Sequence, residues 1–258
     1  MQDLPTNLYP ISVLDYWSLA EKKGGRWYGC WDRTPGGESL SALAYLSSRQ
    51  GGLVVPYGEP DGCRKLGEHL RDLAPCEMVI GPRESCDALW KGLGGPRSRL
   101  FFDQALYVCR EVSAGPALEV REARRSESEA VARMHARMME ADLGVDPGIA
   151  DPPAHMRQVC ARIRSGRTLV VEKGGELVFK LDVGTLVRHG AQVGGTWVPV
   201  AHRSQGIATQ AVRGVCRRLL NRVPMVTLHV NEANEAAVRC YRSAGFGRAR
   251  SFRLISRS

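Results

Sequence analysis

The chain has 258 residues, 43% hydrophobic and 24% charged, with a formal net charge of +9 at pH 7. This composition excludes disorder throughout, and no apolar run approaches the length needed to span a bilayer. The charge is uneven: residues 1–115 carry 13 Lys+Arg against 14 Asp+Glu, and residues 116–258 carry 23 against 13, which suits the second part to a polyanionic ligand. An acidic partner such as RNA fits the same excess, while Arg217, Arg218 and Arg222 also read as a solvated helix face.

From the start, Met1–Pro5 has neither a basic nor an apolar stretch, so no secretory signal is expected. Pro5 and Pro10 read as breakers, with a helix from Ser12 to Lys22 on Val13, Trp17, Leu19 and Ala20, ended by Gly24-Gly25. Strands follow at Arg26–Trp31, Leu40–Ser47 and Leu53–Pro56. Cys63–Leu73 has helical spacing, Met78–Pro82 is a strand, Glu84–Leu93 a helix, and Arg99–Val112 a closing pair of strands. Ser113-Ala114-Gly115-Pro116 is a natural boundary, giving domains 1–115 and 116–258.

The second domain opens with a strand, Leu118–Glu122, and a capping box, Ser126 with Glu129, ahead of a helix carrying Met134, Met138 and Met139. A further helix spans Ala154–Arg164, and strands Leu169–Lys173 and Leu177–Leu186 flank a Gly174-Gly175 turn. A strand from Gln192 to Val200 then runs through a polar turn into a helix from Gly206 to Leu220. A helix start with bare amides, beside Arg203, is a ready anion site. Leu228-His229-Val230 is a short strand, and a helix opens near Asn234 and closes at Gly245-Phe246. The same order of strands and helices in the first part suggests a degenerate copy. Its loop, Tyr57–Gly62, is wrong for phosphate, because Glu59 and Asp61 repel it and Pro60 lacks an amide. An unrelated small α/β domain fits that part equally well. The eight cysteines form no C-x-x-C pair and mostly sit in apolar patterns, so we expect buried thiols, a reducing cytoplasm and no metal site.

Arg203-x-x-Gly206-x-Ala208, followed by Leu228-x-Val230-x-x-x-Asn234-x-x-Ala237-x-x-x-Tyr241-x-x-x-Gly245-Phe246, resembles the GCN5-related N-acetyltransferase (GNAT) family over about Leu118–Leu254. Phe179-Lys180-Leu181-Asp182-Val183-Gly184 resembles a bacterial subgroup with a divergent N-terminal domain. The resemblance implies an α+β class, a mixed and mostly antiparallel sheet flanked by helices, in two tandem halves of which the first does not hold the cofactor. It implies acetyl transfer from acetyl-coenzyme A to an amine, on a small molecule or a protein, by direct attack; a homodimer is an open option. The rival is a catalytically silent acyl-coenzyme A sensor or nucleic-acid-binding protein on the same fold.

By the same resemblance, Arg203 and the amides of Gln205, Gly206, Ile207, Ala208 and Thr209 clamp the pyrophosphate. Backbone groups of Val198 and Val200 pair with the pantetheine, Val198 N–H meets the thioester oxygen, and Asn234 contacts the pantetheine arm. Tyr241 protonates the departing thiolate. The strand before the loop has no carboxylate for a base. Asp182 is the carboxylate candidate and His229 the imidazole candidate, its ordinary pKa suiting neutral pH. Glu140 and Asp142 lie where the family often binds its acceptor, and could attract an ammonium group.

Overall fold

The computed structural model describes residues 3–17, 25–47, 52–73 and 75–257. These group into two compact units: Met1–Leu106 with His229–Asn234 and Arg248–Ser258, and Tyr107–Leu228 with Glu235–Gly247. The grouping differs from a cut at residues 113–116, because the chain's last strand is built into the first unit.

In the first unit, α1 (Leu4–Trp17) runs straight through Pro10. Asp3 accepts from the Thr6 amide (3.4 Å) and hydroxyl (2.6 Å), so the helix begins ahead of Pro5, which sits in the first turn where a missing N–H costs little. The prolines are therefore not breakers; the expected helix end at Lys22 and Gly24, with Leu19 and Ala20, lies outside the described residues. Then come β1 (Gly25–Thr34), β2 (Gly37–Ser47), β3 (Leu53–Gly58), α2 (Pro60–Leu70), β4 (Met78–Pro82), α3 (Arg83–Gly92) and β5 (Ser98–Cys109). β5 is one long strand, where the sequence suggested two. β1, β2 and β3 pair antiparallel, and β3 and β4 pair parallel across α2. Cys63, Leu66 and Leu70 of α2 and Cys86, Leu89 and Trp90 of α3 bury one face each against Val54 and Val79.

The second unit begins with β6 (Arg121–Glu122) and a 3₁₀ turn leading into α4 (Ser128–Leu143), α5 (Pro147–Ala150) and α6 (Pro152–Arg164). The residue that folds back on the helix start is Glu127, not Glu129: its Oε2 accepts the Arg124 N–H at 2.6 Å. It also holds Arg121, so it stabilises the helix entry twice. The strands are β7 (Thr168–Lys173), β8 (Glu176–Val187) and β9 (Gly190–Trp197), antiparallel in turn. The β7–β8 turn uses left-handed Gly174 and Gly175, φ 57° and 82°. After β9 come α7 (Ile207–Leu220), β10 (Val226–Asn231), α8 (Glu235–Ala244) and β11 (Gly247–Arg257). β10 lies parallel to β9, joined through α7. The sheet is mixed and mostly antiparallel, as expected.

β11 pairs antiparallel with β4, from Phe252 opposite Pro82 to Ser256 opposite Met78. Ile255 is fully buried in the first unit's core. Arg253 is bidentate to Asp87 (2.9 and 3.0 Å), bonds Asp103 at 2.5 Å and lies 4.3 Å over the Phe101 ring. All eight cysteines are free thiols, five of them buried. Among the described residues no helix is long and apolar enough to cross a membrane.

Candidate active site

β9 ends at Trp197, earlier than the sequence suggested, and Val200–His202 form a 3₁₀ turn. Pro199 has no amide to continue the ladder, so the chain leaves the sheet there. Two further backbone features open the loop. Ser204, at φ 61°, is the one non-glycine residue with positive φ among the described residues, and Gly206 follows at φ 72° as the N-cap of α7. No side chain caps this helix, and its first turn contains no acidic residue. The amides of Ile207, Ala208 and Thr209 therefore form an uncapped positive helix end. Arg203, Ser204, Gln205 and Gly206 are exposed around it, Ile207 is buried, and Ala208 and Thr209 are half-buried. α7 is anchored from below by Ala211, Val212, Val215 and Leu219, all buried. Arg217 and Arg218 lie on its exposed face, bonding the Gly115 carbonyl (3.1 Å) and Glu122 (2.7 Å).

Arg203 is held in two ways. Its Nε donates to the Val198 carbonyl (3.1 Å), and its guanidinium stacks 4.5 Å from the centroid of Trp197. Val200, expected as a strand residue, is 73% exposed on the turn. Tyr241, on α8, is buried, edge-on to Phe246 at 5.9 Å. Burial pushes its phenol up to about 12, against a hydrogen bond with Thr196 of β9. The group is thus protonated at neutral pH.

Asp182 does not behave as a base. Its carboxylate accepts from Thr168 (2.8 Å), Arg162 (2.9 Å) and Lys180 (2.5 Å). Despite burial, the charges of Lys180 and Arg162 hold its pKa below the ordinary carboxylate value. Val178–Val183 are all buried, so the exposed face suggested for Lys180 and Asp182 does not exist; Lys180 is 0% exposed. This cluster lies under a bulge where β8 and β9 change register. Gly195 sits there at φ 61°, and a Cβ on it would come 2.9 Å from Asp182 Oδ2, so only glycine fits. His135 of α4 and His155 of α6 lie close by, joined Nδ1 to Nε2 at 3.0 Å and both buried.

His229 belongs to the first unit, stacked 4.4 Å from Phe252. Burial lowers its pKa to about 4, so the imidazole is neutral and poorly basic. Asn234 precedes α8 directly, is exposed, and donates its N–H to the Asn231 carbonyl (2.9 Å). Neither is brought together with the loop within the second unit.

Beside the loop, α4 and the end of β9 enclose a cleft of about 490 Å³, walled by Met134, Ala141, Trp197, Pro199 and Val200. Arg133, Arg137, Glu140 and Arg203 supply its charges. Glu140 pairs with Arg137 at 2.8 Å, so its charge is already answered. Asp142 stands in the last turn of α4, where the helix dipole disfavours a negative charge. Its pKa is raised by desolvation, opposed by the charge of Arg203, and its charge in turn acts on Tyr241. Sequence reasoning did not single out Arg133, Arg137, Thr196 or the two histidines. The i,i+4 spacing of the two arginines was the available signal.

The arrangement can hold a polyanion by its diphosphate, present a phenol at a strand end, and seat a second molecule in the cleft. Residues 136–246 match the model of the acetyltransferase (GNAT) family. Among solved structures, a GNAT-family acetyltransferase from Colwellia psychrerythraea is 13% identical, with 99% of this chain and 96% of that one covered at a TM-score of 0.59. A GCN5-related N-acetyltransferase from Kribbella flavida is 14% identical, with 98% and 93% covered and a TM-score of 0.60. A GCN5-related N-acetyltransferase from Sphaerobacter thermophilus is 20% identical, with 86% and 78% covered and a TM-score of 0.54. At these identities the likeness is one of fold. No protein of curated function matches the chain.

Proposed function

We propose that this chain, which carries a GNAT-family acetyltransferase domain at residues 136–246, acetylates an amine from acetyl-coenzyme A. The observation that carries the reading is the uncapped start of α7, with left-handed Ser204 and Gly206 and no acidic residue in its first turn. A diphosphate matches those donors in charge and in hydrogen-bonding capacity. Acetyl-coenzyme A, when bound, supplies the acetyl group as an activated thioester.

The chain's own residues have the remaining tasks. Arg203 and the amides of Gln205–Thr209 hold the phosphates, and the backbone at Val198 and Val200 orients the pantetheine. Val198 N–H polarises the thioester oxygen. Asp142, exposed at the end of α4, is assigned to draw the acceptor's ammonium group by its charge. Tyr241 holds its proton at the end of β9 for the departing sulfur.

The silent-sensor reading draws on the loss of both expected bases. It differs in one respect, binding acetyl-coenzyme A without turnover. Calorimetric titration of acetyl-coenzyme A into wild type and Arg203→Ala/Gly206→Glu tests the proposal. One site per chain, removed by the double change, is expected; an unchanged affinity in the variant would refute the loop assignment. Thiol release with an amine panel then separates enzyme from sensor.

A further inference from the structure

We propose that the acceptor is an amine that also bears a carboxylate, seated in the α4 cleft with that carboxylate between Arg133 and Arg137. The inference rests on the acetyl-transfer reading and names the substrate class of that same site.

Arg133 and Arg137 are four residues apart on α4, so they stand one above the other on one helix face. Met134 and Ala141 share that face and line the cleft with them. The two guanidiniums are not consumed by the protein. Their side chains are 72% and 69% exposed, and each has a carboxylate partner on the same helix, Glu129 at 3.9 Å and Glu140 at 2.8 Å. Each guanidinium has five N–H donors, so most remain for a ligand, and two stacked forks match a carboxylate.

The charge balance decides between acceptor classes. With Arg203 given to the phosphates, the cleft lining holds two arginines and one carboxylate, and that carboxylate is already paired to Arg137. A polyamine or a lysine-rich peptide would meet net positive charge. An anionic amine meets a complementary field. The opposite wall, Trp197, Pro199 and the exposed Val200, is apolar and suits a hydrocarbon body. Arg203 is set apart from this role, since it is fastened over Trp197 and on the Val198 carbonyl beside the loop. An amino acid with an apolar side chain satisfies both features, carboxylate on the arginines and side chain on the apolar wall.

The test uses matched pairs, aliphatic and aromatic amino acids and their carboxamides, as acceptors with acetyl-coenzyme A and thiol release as readout. The N-acetylated acid and amide of each pair are titrated calorimetrically into the coenzyme A-loaded protein. We expect at least a tenfold preference for the acid member in both measurements. Arg133→Gln/Arg137→Gln should remove the preference and leave the acetyl-coenzyme A dissociation constant within twofold. Amides equal to or better than acids, or no binding and no turnover of any pair, would overturn the inference. A weakened acetyl-coenzyme A affinity in the double variant would do so too, by giving the arginines to the coenzyme's phosphates. Failure of wild type to bind acetyl-coenzyme A is a different result, and it removes the acetyl-transfer reading itself.

Discussion

α2 and α7 each cross between two paired parallel strands, β3 to β4 and β9 to β10. Their first turns are built for opposite ends. At α2, Pro60 removes an amide, and Asp61 places a carboxylate in the first turn, held below its ordinary pKa by hydrogen bonds to Arg64 and Lys65. The preceding turn is shut against β2: Glu59 N–H bonds the Ser41 carbonyl at 2.9 Å, and a Cβ on Gly58 would lie 2.4 Å from that same oxygen. At α7 the corresponding residues, Gly206, Ile207 and Ala208, carry no charge, Arg203 stands exposed just ahead of them, and the amides are uncapped. Shared topology therefore supplies the helix end, and four or five local residues decide whether an anion can use it.

The ground beneath the two crossovers differs as well, and the largest expected effect lies there. Among the described residues the first unit buries one charged side chain, Arg253, whereas the second buries Lys180 and Asp182 with His135 and His155. Asp182→Asn should cost about 3 kcal/mol by leaving Lys180 without its counter-charge, read as a lower denaturant midpoint. A loss under about 0.5 kcal/mol would mean the two units are less different than their cores suggest. Acid should find the same weakness. Burial lowers His135 to about 3 and lowers His155 as well. A lowered pKa gives stability that is complete above the ordinary value near 6.5 and is lost as pH falls toward 3. Melting temperature should thus drop between pH 6.5 and 4, less steeply in His135→Gln.

The chemistry comes next in size. Tyr241→Phe should lower kcat by about 100-fold while the acetyl-coenzyme A dissociation constant stays within twofold, measured by turnover and calorimetry together. Equal turnover would remove the phenol from the mechanism. Giving α7 the acidic first turn of α2, by Ala208→Asp, should weaken acetyl-coenzyme A about tenfold, or about 1.4 kcal/mol, with salt reducing the difference. The smallest effect is the reverse exchange. Glu59→Gln/Asp61→Asn should leave the stoichiometry at one, because Pro60 and the closed Gly58 turn remain; a second site would show that charge alone silenced the first unit.

Legibility in the sequence followed how local each feature was. The loop at Arg203–Thr209 and the phenol at Tyr241 could be read because helix starts and their spacing are written in adjacent residues. Lys180 and Asp182 were assigned correctly to one side of β8, yet alternation cannot reveal that Val178–Val183 are buried on both faces. Of the partners that disqualify Asp182, Lys180 is two residues away, but Arg162 and Thr168 lie on α6 and β7, and no nearby residue announces them. His229 looked like a base by its ordinary pKa and lost that role to Phe252, a contact across the sheet. The α1 prolines misled because a start at Asp3 makes Pro5 harmless.

β11 has a consequence in the order of synthesis. The first unit contains the beginning of the chain, yet its sheet lacks β11 until Arg248–Ser258 have been made. Until then β4 presents an open edge, Ile255 is missing from the core, and Asp87 and Asp103 await Arg253. The sheet of the first unit therefore closes only through a pairing made from opposite ends of a long stretch of sequence, β4 with β11, which makes it a late and slow step of folding.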